Sequence, residues 1–257
     1  LIGLERIVAL KDIREERDGI RIGAGVVHED LLRHPLIAGQ LPVLGRALAC
    51  LGSPPIRAMG TIGGNICTAS PAGDTLPPLY CLKARIELQS ASGVRRLPIA
   101  DFIAGPGTVR LAAGEIVTAV LIDRPPEDAV QHFEKVGRRK SMACAVASLA
   151  ALVTLSPSGT VETCRLAWGS VGPTVVTGGP VEDFLTGKRL SRETLAAAAG
   201  LAARRVSPID DVRASAAYRR TVAGNLLLRL SGSAADPGHR EINAPAPRGT
   251  GRRTSGA

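Results

Sequence analysis

Apolar positions along this chain follow two regimes. Up to about residue 126, short apolar runs alternate with charged or glycine-rich breaks; beyond it, longer apolar runs come first and helical spacings follow. In the first regime, Leu1 to Leu10 and Ile20 to Ala24 read as two strands joined by the charged turn Arg14-Glu-Glu-Arg-Asp-Gly19. Val27-His-Glu-Asp30 starts a helix, with His28 in the cap region or on the surface. Pro42 to Leu51 sets Leu44, Leu48 and Leu51 at helical spacing with Pro42 in the first turn, and Gly52 ends that helix. Pro54-Pro55 then bars further helix. A short helix or turn follows from Leu76 to Leu82. Ala84 to Leu88 and Val94 to Ile99 flank Ser90-Ala-Ser-Gly93 as a hairpin, Gly105-Pro-Gly107 is a turn, and Ile116 to Ile122 is a strand.

In the second regime, Gln131 to Val136, Ala143 to Leu155 and Val161 to Trp168 read as three strands, the last two joined by Ser156-Pro-Ser-Gly159. Helices are expected at Val181 to Leu185, at Ser191 to Val206 with Ser191 as cap, and at Ser215 to Leu230. Strands followed by helices give an α+β order. Pro125-Pro126 with Glu127-Asp128 marks the expected boundary, with one domain over 1–126 and a smaller one over 127–232. From Ser231 the chain turns to Pro, Gly, Ala, Ser and Arg with no apolar period, so 233–257 is expected to be a disordered tail.

Composition narrows the function. A chain of 257 residues, 45% of them hydrophobic, can bury a substantial core, but only 2% are aromatic, so that core is aliphatic and a base-stacking surface is excluded. The net charge of +9 would attract polyanions, yet the arginines are scattered or lie in the tail and no nucleic-acid-reading motif accompanies them. Five dispersed cysteines, with no Cys-x-x-Cys, suit reduced and mostly buried thiols in a cytoplasmic protein and supply no zinc or iron-sulfur ligand set. No stretch reaches the roughly 20 apolar residues that a membrane span requires. Gly23-Ala-Gly25 invites a dinucleotide fingerprint, but the third glycine position is His28 and no alternating strand-helix-strand pattern follows.

Candidate chemistry concentrates between Gly52 and Asp74. A Gly63-Gly64 pair, where only residues without Cβ let backbone approach a ligand, is flanked by Asn, Thr, Ser and Asp as polar contacts. Read alone, Asn65 also suits a turn, and Asp74 before Thr75-Leu-Pro a helix cap. Gly60-Thr-Ile-Gly-Gly-Asn65, then Ala69-Ser-Pro and Asp74, resembles the second flavin-binding loop of the xanthine dehydrogenase family, which carries it in an FAD-binding middle subunit or domain. The resemblance runs on through Phe102-Ile-Ala-Gly-Pro-Gly107, Gly114-Glu-Ile-Val117, Phe133-Glu-Lys-Val-Gly-Arg-Arg139, Val171-Gly-Pro-Thr174 and Tyr218-Arg-Arg-Thr-Val-Ala-Gly-Asn225.

The resemblance implies an α+β chain: an FAD-binding domain of the molybdopterin-dehydrogenase (PCMH-like) type, then a smaller domain of a three-stranded sheet plus helices. It places Thr61, Ile62, Gly63, Gly64 and Asn65 in the FAD loop, Asp74 as a further contact, and Ile116, Val117 and Lys135 as secondary contacts near the flavin. Backbone N–H groups of such a loop would cradle the pyrophosphate, and short polar side chains would meet the ribityl hydroxyls. It implies no catalytic acid or nucleophile, because the flavin does the redox work. The implied partners are a large molybdopterin-binding subunit and a small iron-sulfur subunit, with NAD or another acceptor taking the electrons. Alternatives of other kinds are an oxygen-using FAD oxidase and a cofactor-free assembly module. A further loop of Ala-Gly-Gly-Thr-Asp type, which the family places upstream, has no match here, so an N-terminal truncation is expected. The cysteine-bearing insertion of relatives that reduce aromatic acyl-CoA thioesters is absent as well, which points to the ordinary hydroxylase type.

Overall fold

The structure, a computed structural model, describes residues 3–139 and 142–235. After a single 3-10 turn at Val8–Leu10 come β1 (Ile13–Glu16), β2 (Gly19–Gly23), α1 (His28–Arg33), α2 (Pro35–Gln40), α3 (Pro42–Ala49), α4 (Pro54–Met59), α5 (Ile62–Thr68) and α6 (Leu76–Cys81). The hairpin β3 (Arg85–Ser90) and β4 (Gly93–Pro98) follows, then α7 (Ile99–Phe102), β5 (Ile103–Gly105), β6 (Thr108–Val109) and β7 (Ile116–Asp123). The second half holds β8 (Val130–Gly137), β9 (Ala145–Leu155), β10 (Val161–Gly169), β11 (Val176–Thr177), α8 (Pro180–Leu185), α9 (Arg192–Arg205), α10 (Ala216–Leu227) and α11 (Leu230–Ala235).

Two sheets organise these elements. The first runs β1-β2-β7-β3-β4, antiparallel throughout, and the second runs β11-β10-β9-β8, also antiparallel. The three long strands expected in the second half are all in the second sheet, to which the two-residue β11 adds an edge. β9 explains its own unbroken apolar run. Ala150 and Leu152 face one hydrophobic core with Leu44, Leu48 and Leu79, while Leu149, Ala151 and Val153 face another with Trp168, Leu195 and Leu226. A strand buried on both faces has no reason to alternate apolar with polar. It also joins the two halves, since a side chain of the second sheet fills a core built mainly by the first half.

Several local expectations change. The strand placed on Leu1 to Leu10 is instead a 3-10 turn and loop over its described residues, and the strand forms on Ile13–Glu16, which the charge pattern marked as a turn. β1 is an edge, so Arg14, Glu15 and Glu16 keep their charges in water while their backbone pairs with β2, and charged residues suit such an edge. Pro54 and Pro55 open α4 rather than bar it, because first-turn N–H groups have no intrahelical partner to lose. The glycine pair lies inside α5, not in a turn. His28, placed in the cap region or on the surface, is the buried first residue of α1. Of the five thiols, all free, only Cys81 is buried; Cys67 and Cys164 are half-buried and Cys50 and Cys144 exposed. α11 runs to Ala235, past the expected start of the tail, and the rest of the tail lies outside the described residues. Among the described residues no helix is long and apolar enough to cross a membrane.

Candidate functional site

The stretch Thr61 to Asp74 folds as a capped helix followed by a tight connection. Thr61 is the N-cap of α5 in extended backbone, and its Oγ1 accepts the Gly64 N–H at 3.1 Å. The helix start is anchored on the segment that follows β2: the Ile62 N–H donates to the Val26 carbonyl and the Gly63 N–H to the Ala24 carbonyl, at 3.0 and 2.9 Å. Ala24 in turn donates to the Thr118 carbonyl on β7 at 3.0 Å. α5 is therefore hung from the sheet close to where Ile116 and Val117 enter it.

The two glycines do different things. A Cβ on Gly63 would lie 2.6 Å from the Ala24 Cβ and 2.8 Å from the Ala24 carbonyl oxygen, so Gly63 allows α5 to touch the chain just after β2. Gly64 is exposed, and a Cβ there would meet only the Thr61 Oγ1 at 3.0 Å. The backbone N–H groups that the resemblance turns toward a pyrophosphate are engaged within the chain here. Those of Ile62, Gly63, Gly64 and Asn65 all have partners within the chain, and only the Gly64 bond goes to a rotatable hydroxyl on an open face.

Asn65 and Asp74 each leave their local role for a longer reach. Asn65 accepts a hydrogen bond from the Thr75 hydroxyl, Oγ1 to Oδ1 2.5 Å, which fastens α5 to the start of α6. Asp74 is no helix cap. Its Oδ2 takes the Lys135 ammonium at 2.6 Å across from β8, and the same ammonium donates to the Cys50 carbonyl at 3.0 Å. Burial pushes the Asp74 carboxyl above the ordinary aspartate range, and the Lys135 charge beside it pulls the other way without overcoming the effect. Asp74 Oδ1 is buried and has no hydrogen-bond partner among the described residues.

Thr61, Gly64, Asn65, Asp74 and Lys135 thus gather around α5 and the connection to α6. Ile62 and Val117 point into the core, so any contact they make with a ligand comes from backbone, and Ile116 is half-buried at the start of β7. Three participants had no sequence signal of their own: Thr75, wholly buried; the Cys50 carbonyl; and His28, which packs under Gly60 and donates its backbone N–H to the Gly60 carbonyl at 2.9 Å. Burial, with the Arg57 charge beside it, holds the His28 imidazole down to about 4. A separate cleft of about 90 Å³, lined by Leu82, Lys83, Asp123 to Pro126 and Arg165, contains none of these residues.

Comparison with known proteins decides what this arrangement belongs to. The family model for the FAD binding domain in molybdopterin dehydrogenase matches residues 1–125, and that for the CO dehydrogenase flavoprotein C-terminal domain matches 131–234. The chain belongs to the FAD-binding medium subunits of the molybdenum hydroxylases. It is 33% identical over 233 residues to the nicotinate dehydrogenase FAD-subunit of Eubacterium barkeri, covering 90% of this chain and 79% of the relative. It is 31% identical over 222 residues to the xanthine dehydrogenase FAD-binding subunit of Escherichia coli O157:H7, covering 85% and 75%. Among solved structures, a chain of reconstituted CO dehydrogenase from Oligotropha carboxidovorans superposes with a TM-score of 0.86 at 30% identity, covering 90% of this chain and 81% of that one. The expected fold class and the expected family both stand.

The residues of this molybdenum hydroxylase subunit fit FAD. Gly64 leaves an open face that any larger side chain would fill, the Thr61 hydroxyl beside it can rotate, and the amide NH2 of Asn65 donates to no group among the described residues. Asp74 adds a buried carboxylate oxygen without a donor. Together they offer donors and acceptors of both kinds for a phosphate- and hydroxyl-bearing ligand.

Proposed function

We propose that this chain is the FAD-carrying electron-transfer subunit of a molybdenum hydroxylase complex of the xanthine dehydrogenase type. It takes electrons from the iron-sulfur clusters of a small partner subunit and delivers them to NAD or another acceptor, while a large molybdopterin-binding subunit oxidises the organic substrate. Its free thiols suit the reducing cytoplasm. When bound, FAD supplies the redox chemistry, accepting and releasing electrons in one- or two-electron steps. The chain's own residues bind and orient. The observation that carries the reading is the exposed Gly64 on α5, capped by Thr61 and followed by Asn65, in a chain of this family.

In this reading the Thr61 hydroxyl, its oxygen still accepting the Gly64 N–H, donates to a phosphate oxygen over the face that Gly64 leaves open, the Asn65 amide meets a ribityl hydroxyl, and Asp74 accepts a hydrogen bond through its free Oδ1. Ile116 and Val117 offer backbone groups beside the ring system. Lys135 holds the Asp74 carboxylate in place rather than reaching the ligand by itself, since its ammonium is already engaged by two acceptors. Purification of the intact complex tests the proposal. One FAD per copy of this chain, with molybdenum and iron in the partners and flavin bleaching on anaerobic addition of substrate, is expected. A complex that is catalytically active with no flavin on this chain would overturn it.

A further inference from the structure

Arg219 sits on α10, away from the candidate FAD-site residues, and is 4% exposed. A buried guanidinium is costly unless its donors are taken, and here most are. Nη1 donates to the carbonyls of Val146, at the start of β9, and of Ser170, just after β10, at 2.9 and 2.8 Å. Nη2 donates to Asp211 Oδ1 at 2.7 Å. Asp211 is itself fixed by the N–H groups of Arg213 and Ala214 at 2.7 and 3.2 Å, which with Arg219 draw its carboxyl down to about 2.

What Arg219 grips is unusual. Ser170 has a left-handed backbone, φ +63°, which a residue other than glycine adopts only when its surroundings impose it. In that conformation its N–H leaves the second sheet and donates to the Pro71 carbonyl at 2.9 Å. Pro71 lies in the middle of the connection between α5 and α6. The far end of that connection is Asp74, held by Lys135 from β8. Between the two fastenings the segment has little of its own: the Gly73 N–H donates to the Ser70 carbonyl at 2.9 Å, and the Ala72 N–H to Ser70 Oγ at 3.3 Å. The second half of the chain therefore holds residues 71–74 at both ends.

We propose that Arg219 is a positioning residue for FAD binding, acting through Ser170. By clamping the Ser170 carbonyl it keeps Ser170 left-handed, which sets the Ser170 N–H on Pro71 and fixes the connection beside α5. This rests on the reading that Thr61 to Asp74 receives FAD. A cofactor meeting an already ordered loop does not have to order it on binding.

The test uses the intact chain, with hydrogen exchange at Ala72 and Gly73 and flavin titration as two readouts. Arg219→Lys keeps the charge but loses the fork that reaches three acceptors. It should speed exchange at Ala72 and Gly73 and weaken FAD binding, each by about tenfold. Ser170→Gly introduced into Arg219→Lys should recover most of both, because glycine takes positive φ without help. Should Arg219→Lys not fold, Asp211→Asn, which loosens the guanidinium without removing it, gives the same pattern in weaker form. Faster exchange throughout the chain with no selective effect at Ala72 and Gly73, or no recovery with Ser170→Gly, would reduce Arg219 to a staple of the second half and overturn the proposal. If the unaltered subunit carries no FAD in the intact complex, the function proposed above fails, while exchange at Ala72 and Gly73 still decides whether Arg219 orders that connection.

Discussion

Lys135 Nζ lies 2.6 Å from Asp74 Oδ2, and both side chains are more than nine-tenths buried. The pair bridges the two halves of the chain, from β8 to the start of α6. Removing one member of a buried pair leaves the other charged and unsatisfied, at a cost of about 3–5 kcal/mol. Lys135→Met is therefore expected to lose about 3 kcal/mol of stability at pH 7, and Lys135→Met with Asp74→Asn to lose clearly less. The sign with pH follows from the carboxyl. Without Lys135, a carboxyl already raised by burial rises further, so the penalty applies above the unfolded aspartate pKa and fades as pH falls and Asp74 takes a proton. Urea denaturation at pH 7 and pH 5 checks both. A double variant as unstable as the single one would show that packing, not charge, sets the loss.

Gly63 and Gly64 should separate folding from binding. Gly63→Ala drives a methyl into Ala24 and is expected to cost about 1–3 kcal/mol in the FAD-free protein. Gly64→Val puts a branched side chain on the open face, so FAD retention should be lost while the fold survives. Thermal denaturation of the FAD-free variants and flavin content after purification tell the two apart. Stoichiometric flavin in Gly64→Val would place the cofactor elsewhere.

His28 supplies a pH dependence of its own. Its imidazole titrates near the ordinary value of about 6.5 in the unfolded chain and at about 4 in the folded one. The unfolded state therefore binds the extra proton between those values, and stability falls as pH drops from about 6.5 to 4. A full shift of that size corresponds to roughly 3 kcal/mol. His28→Gln should flatten this part of the stability profile, read by denaturant midpoints between pH 7 and pH 4.5. An unchanged slope would mean that other groups carry it.

Much of the second half was legible because its periodicity is unambiguous. The run from Ala143 to Leu155 is too apolar and too long for an alternating strand, and the structure buries β9 on both faces. Ser191 gave the start of α9, and the Thr194 N–H does donate to Ser191 Oγ. The first half was harder for a physical reason. Its helices are only six to eight residues long, from α1 to α6, and several begin at proline, so the residue types that usually break helices here start them. The site was legible as a string of residues, through the glycine pair and its polar flanks. Its geometry was not. That Gly63 serves packing and Gly64 an open face depends on Ala24, some forty residues upstream, and the Lys135 to Asp74 reach depends on how β8 lies against α3. No local spacing encodes either contact.

Thr61 gives the sharpest test of how the chain holds FAD. Its Oγ1 accepts the Gly64 N–H, which leaves the hydroxyl proton free to donate outward on the face that Gly64 keeps open. One side chain thus has two separable roles, the helix cap and the ligand contact. Thr61→Val keeps the shape and removes both. The cap loss should lower the stability of the FAD-free protein by about 1 kcal/mol, and the lost contact should weaken FAD binding about tenfold beyond that, equal to one further hydrogen bond to a charged oxygen. Thr61→Ser keeps the hydroxyl and should preserve both properties to within a factor of about two. Denaturation without flavin measures the first effect, and fluorescence titration with FAD the second. If Thr61→Val lowers stability but leaves FAD affinity at the level of the unaltered chain, Thr61 is a cap alone, and the phosphate contact passes to the Gly64 N–H, which that substitution leaves without its acceptor and free for the ligand.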